Sequence, residues 1–160
     1  TAWVALTPSS SCNGGISYLS GSHRYGFIRH ESKPTEENML RRGQCIPSAG
    51  LALVQQTCHI YTPSLMPGQA IFHDSKVVHG SQINDSDEDR LAIAFRYCST
   101  EMSSVGEREG AICISGHDEF MNFYREPVPL SEMSELGLRY HQMGLNKNRD
   151  KHSKNRPFYD

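Results

Sequence analysis

At 160 residues the chain is one domain's worth, enough for a core that buries roughly two thirds of its unfolded surface. Its 16 basic and 18 acidic residues leave a net charge of −2, so no global field draws it to nucleic acid or to an anionic membrane. No window approaches the ~18 apolar residues of a membrane span, and Thr1–Ser11 lacks the basic-then-apolar order of a signal peptide.

Thr1–Thr7 alternates Trp3, Ala5 and Thr7 with Ala2, Val4 and Leu6. Apolar groups on both sides make it an interior strand, which Pro8–Asn13 stops. Trp3 is the only tryptophan and on composition reads as a core anchor. Asn13-Gly14-Gly15 is a turn in which positive φ costs little, and Ile16–Leu19 is the strand that follows. Gly21-Ser22-His23-Arg24 leaves that strand into a loop. Tyr25 to Pro47 is polar, with a helix start at Lys33-Pro34-Thr35-Glu36-Glu37 and a stop at Gly43-Gln44. Gly50–Gln55 and Thr57–Tyr61 read as short strands, with His59 facing either a pocket or solvent. Met66-Pro67-Gly68 is a tight turn.

The stretch from Gly68 to Tyr97 organises the rest. Ala70–Phe72 with Val77–Val78, and then Leu91–Phe95, are apolar runs separated by the polar Gln82–Asp89. If that segment is a loop, the second strand returns beside the first and brings Arg90 back towards His79-Gly80-Ser81. An imidazole, a hydroxyl and a guanidinium at one pocket mouth can hold a divalent metal through His79 and an anionic co-substrate through Ser81 and Arg90. On residue types alone, a lone His such as His79 is more often a hydrogen-bonded structural group, and an Arg such as Arg90 after an acidic loop is usually a solvated strand end. His73 competes with His79 as a ligand, and Asp74-Ser75-Lys76 prevents a shared face from being read. His79 is preferred because Gly80 permits close backbone approach and Ser81 lies beside it. The acids of Asp85-Ser86-Asp87-Glu88-Asp89 read as a solvated loop.

Further on, Gly110–Ser115 is a last apolar strand and Met121–Pro129 an extended segment. Ser131–Tyr140 is a short helix capped by Ser131 or Ser134, and a basic, polar tail runs from Asn146 to Arg156. The grouping expected is a core over 1–127 followed by a helix and tail over 128–160. Five scattered cysteines without a Cys-x-x-Cys point to reduced thiols and a cytoplasmic protein. Short strands between Gly, Pro and Asn turns give a mainly β fold of jelly-roll type.

His79, Gly80, Ser81, Asn84, Ser86 and Arg90 resemble the distal half of the active-site motif in the phytanoyl-CoA dioxygenase family of Fe(II)/2-oxoglutarate oxygenases. That motif is a strand ending in His-Gly-Ser, an Asn-x-Ser turn, and an Arg eleven positions after the His. Thr1-Ala2-Trp3-Val4-Ala5-Leu6-Thr7, Asn13-Gly14-Gly15 and Ser20-Gly21-Ser22-His23-Arg24 are similar to the family's Trp-x-Ala-Leu, Asn-Gly and Pro-Gly-Ser-His series. The likeness spans residues 1–100. It implies a double-stranded β-helix, cupin-like, with a few short helices. It also implies Fe(II) and 2-oxoglutarate as cofactors, and a small-molecule substrate and O2 as partners, in an enzyme hydroxylating an unactivated carbon. Within the likeness His79 is a metal ligand, Arg90 and Ser81 clamp 2-oxoglutarate, Trp3 lines the co-substrate pocket, and His23 is structural.

The family's other two metal ligands form a His-x-Asp pair ahead of the Trp-x-Ala-Leu strand, and the sequence has no such pair. His73-Asp74 and His117-Asp118 are adjacent pairs with the wrong spacing. The expectation is therefore the C-terminal part of a longer oxygenase. The alternatives are a non-catalytic jelly-roll binding module, a metal-binding cupin that uses no 2-oxoglutarate, and a halogenase in which a small residue replaces the carboxylate ligand.

Overall fold

The computed structural model describes residues 1–30, 45–103, 108–128 and 130–143. The expected helix at Lys33–Glu37, its stop at Gly43-Gln44 and the basic tail from Asn146 lie outside them. Packing divides the chain into two units, Thr1–Tyr97 and Cys98–Asp160, a different cut from the 127/128 grouping drawn from composition.

In the first unit the strands are β1 (Ala2–Ala5), β2 (Ile16–Ser20), β3 (His59–Tyr61), β4 (Ala70–Phe72), β5 (His79–Ser81) and β6 (Ala92–Phe95), with helix α1 (Ser48–Gln55) between β2 and β3. They form two antiparallel sheets ordered β4-β1-β6 and β3-β2-β5. The two longest apolar alternations, β1 and β2, take the central places. A central strand pairs its backbone on both edges, so its side chains are the most completely covered. Trp3 and Ala5 of β1 and Ile16 and Tyr18 of β2 form one buried cluster, closed by Leu65, Ile71, Val77 and Ala92. The inner faces of the two sheets therefore pack on one another.

Two sequence expectations fail here. Gly50–Gln55 is helical, because Leu51, Ala52, Leu53 and Gln55 are good helix formers and a short apolar run does not by periodicity distinguish strand from helix. Helix α1 seats Val54 and Leu51 with Leu19, Cys58, Ile28 and Val78 on the outer face of the β2 sheet. Second, β6 does not return beside β5: β5 pairs with β2 and β6 with β1. The strands either side of Gln82–Asp89 thus belong to facing sheets. The fold is mostly small antiparallel sheets, as expected, but the described strands do not themselves close into a jelly roll. The outward residues Phe72, Ile93 and Phe95 are exposed.

The turns obey their sequences. Gln69 N–H donates to Met66 O at 3.0 Å across Pro67 and Gly68, with Gly68 at φ +84°, where only glycine is unstrained. Asn13 is buried and structural, accepting from Ser10 N–H at 2.8 Å and donating to Pro8 O at 2.8 Å. Gly15 donates to Ser10 O at 2.7 Å, and a Cβ at Gly15 would lie 2.4 Å from that oxygen. Because the clash is with backbone, Gly15→Ala should destabilise the first unit by about 2–4 kcal/mol in chemical denaturation.

In the second unit β7 (Gly110–Ala111) and β8 (Tyr124–Arg125) pair in parallel, both shorter than expected. Arg108 stacks on Tyr124 at 4.7 Å and donates to Phe123 O at 2.8 Å. Residues 135–143 are helical, and Ser134 Oγ caps them by accepting from Gly137 N–H at 3.2 Å. Among the described residues no helix is long and apolar enough to cross a membrane.

Candidate active site

Strand parity builds the site. Side chains alternate across a strand, and directly paired residues share a face. Tyr18 pairs with His79 and Ile16 with Ser81, so these four project from one face of the second sheet. On the first sheet Trp3 pairs with Ile71 and Ala94, and Ala5 with Ala92. His73 lies two residues beyond Ile71, its N–H donating to Thr1 O at 3.0 Å, and Arg90 lies two before Ala92. The buried cluster containing Trp3 and Tyr18 shows that these faces look at each other.

Arg90 reaches Ser81 through Nη2 to Oγ at 3.5 Å, long for a hydrogen bond, and its guanidinium stands 5.6 Å from the Trp3 ring centroid. Its Nε is buried with no hydrogen-bond partner. Trp3 is thus both the core anchor that composition predicts and the platform beneath Arg90. The Asn-x-Ser turn fixes the loop leading there. Asn84 Oδ1 accepts from Ser86 N–H at 3.1 Å and from Ser86 Oγ–H at 2.7 Å, while Asn84 Nδ2 donates to Glu88 O at 2.8 Å. The acids around it are exposed, as expected.

His79 Nδ1 is 2.8 Å from Val77 O, and His73 Nδ1 is 3.0 Å from Asp74 O. A carbonyl only accepts, so each ring carries its proton on Nδ1 and presents the Nε2 lone pair. A backbone carbonyl holding the far nitrogen is the usual support of a metal-binding imidazole. The two rings are 4.9 Å apart, and Tyr18 lies 5.2 Å from His73 and 6.0 Å from His79. Burial, above all, lowers the His73 pKa, which keeps that ring neutral. Burial pushes the Tyr18 phenol up to about 12, and its hydroxyl is buried without a partner.

Trp3, His79, Ser81 and Arg90 are therefore brought together, although by facing sheets and not by a hairpin. Sequence reasoning weighed His73 and preferred His79, and it missed Tyr18. Alternation with Ile16 and Ile71 was the available signal for both. His23 is exposed, and the buried member of its motif is Ser22, whose Oγ accepts from Val78 N–H at 2.8 Å and ties that loop to β5.

The phytanoyl-CoA dioxygenase (PhyH) family model matches residues 1–92. The chain belongs to that family. The match takes in every element that carries the site, from Trp3 on β1 to Arg90 just before β6. A search of curated proteins finds no match to the chain. Membership implies a dioxygenase and hence an oxidoreductase, with Fe(II), 2-oxoglutarate, O2 and a small-molecule substrate typical of the PhyH family.

The residues present fit the keto acid well. A buried guanidinium nitrogen with an unused donor, a hydroxyl beside it and an aromatic floor are the groups a carboxylate would need. For the metal this PhyH-family chain offers His79 in the right tautomer. No group of three or more His, Cys, Asp or Glu side chains placed to hold an ion occurs among the described residues.

Proposed function

We propose that this PhyH-family protein is an Fe(II)/2-oxoglutarate-dependent dioxygenase that hydroxylates an unactivated carbon of a small-molecule substrate. One observation carries the reading: Arg90 Nε is buried and unpartnered while the same guanidinium lies over Trp3 and reaches Ser81. A buried charge is costly unless an anion meets it, and the planar fork of arginine suits a carboxylate. Arg90 and Ser81 hold the distal carboxylate of 2-oxoglutarate, and Trp3 shields that contact from water. His79 offers its Nε2 lone pair to Fe(II). The other two ligands of the family's metal site are the His and the carboxylate of a His-x-Asp pair.

When bound, Fe(II) supplies oxygen activation, coupled to decarboxylation of 2-oxoglutarate to succinate and carbon dioxide. The protein's part is orientation. The Val77 carbonyl fixes the His79 ring, the Arg90 fork fixes the keto acid, and the buried cluster of Trp3, Ala5, Ile16 and Tyr18 gives both a packed base. Anaerobic addition of Fe(II) and then 2-oxoglutarate to the full-length protein should give a weak visible charge-transfer band that neither gives alone. No band at saturating concentrations would overturn the proposal.

A further inference from the structure

We infer that the Tyr18 hydroxyl donates a hydrogen bond to the keto-acid end of bound 2-oxoglutarate, making Tyr18 a positioning residue of this site; the inference rests on the co-substrate reading above.

Tyr18 is 5% exposed and its hydroxyl is buried with no partner. Buried polar groups almost always have one, and phenylalanine would fill the same space without the cost. A buried hydroxyl without a protein partner, on a ring that contacts His73 and His79, is therefore placed to meet a group that enters. The register says which end of the ligand it meets. Tyr18 pairs with His79, and Ile16 pairs with Ser81 two residues further along the same two strands. Two residues of strand span roughly 6.6–6.8 Å, comparable with an extended five-carbon dicarboxylate. An anion pinned at Ser81 and Arg90 thus brings its other end to the Tyr18–His79 row.

The chemistry of that row agrees. His73 and His79 turn only Nε2 lone pairs towards the site, because both Nδ1 protons are engaged by backbone carbonyls. With those protons engaged, neither imidazole has an N–H left to donate to a carboxylate or keto oxygen. Tyr18 supplies the missing donor, its phenol O–H.

The test uses the full-length protein loaded with Mn(II), with 2-oxoglutarate as the probe and quenching of Trp3 fluorescence as the readout. Tyr18→Phe should raise the 2-oxoglutarate Kd about tenfold, the size of one hydrogen bond to a charged group. The Mn(II) Kd should stay as in wild type and the unfolding midpoint without ligand should stay or rise, since an unpaired buried hydroxyl is removed, whereas a structural role would lower the midpoint. A Tyr18→Phe Kd within twofold of wild type, alongside marked weakening by Arg90→Ala, would overturn this inference and leave the co-substrate reading standing. Equal losses of Mn(II) and 2-oxoglutarate affinity in Tyr18→Phe would also overturn it. No weakening by Arg90→Ala would remove the co-substrate reading and this inference with it.

Discussion

Arg90→Ala is expected to weaken 2-oxoglutarate binding about a hundredfold while changing the Mn(II) Kd by less than about twofold. Truncating one partner of a buried charged hydrogen-bonded pair costs about 2–5 kcal/mol, and each 1.4 kcal/mol is roughly tenfold in affinity. The contrast between the two titrations is the informative part. The Arg90 contacts run to Ser81 and to the Trp3 ring, not to either histidine. Arg90→Lys should recover little, since an ammonium has neither the fork for two carboxylate oxygens nor the flat face that rests on Trp3. Isothermal titration with Mn(II) and with 2-oxoglutarate decides it, and parallel losses of both would count against the assigned role.

His79→Ala should lower Mn(II) affinity by at least about a hundredfold. Loss of an outer-shell partner of a metal ligand already costs about 10–100-fold in metal affinity, so loss of the ligand itself costs at least the upper end of that. The fold should tolerate the change: His79 is exposed on an edge strand, and the backbone pairing of β5 with β2 does not use its ring. His73→Ala is the matched control. Its ring is 4.9 Å away with the same tautomer, yet it lies across the site from Ser81, which shares a strand face with His79. A result in which His73→Ala abolishes Mn(II) binding and His79→Ala does not would move the ligand to His73.

Much of the first unit is legible from local rules. The strand at Thr1–Thr7 shrinks to Ala2–Ala5 but keeps Trp3 and Ala5 inward, and Ile16–Leu19 is recovered with one added residue. The failure at Gly50–Gln55 is equally physical, since eight residues with one buried face fit either period until a partner surface selects one. At the site, local reasoning reached His79, Ser81, Arg90 and Trp3 through motif spacing. It passed over Tyr18, because alternation with Ile16 gives the face of the strand but no chemical role until the pairing partner is known.

The order of amino acids by itself determined the family motif, the Met66–Gln69 turn, the stapled Asn84–Ser86 loop and which side of each strand is apolar. All of these depend on residues within a few positions of one another. Only the tertiary structure decided that β5 and β6 belong to opposite sheets, that Arg90 crosses to Ser81 over Trp3, and that His73 and Tyr18 stand beside His79. Alternation fixes a side chain's face, but which face it meets depends on pairings between residues up to 93 positions apart, such as Ala2 with Phe95. The burial gained by the folded whole selects those pairings.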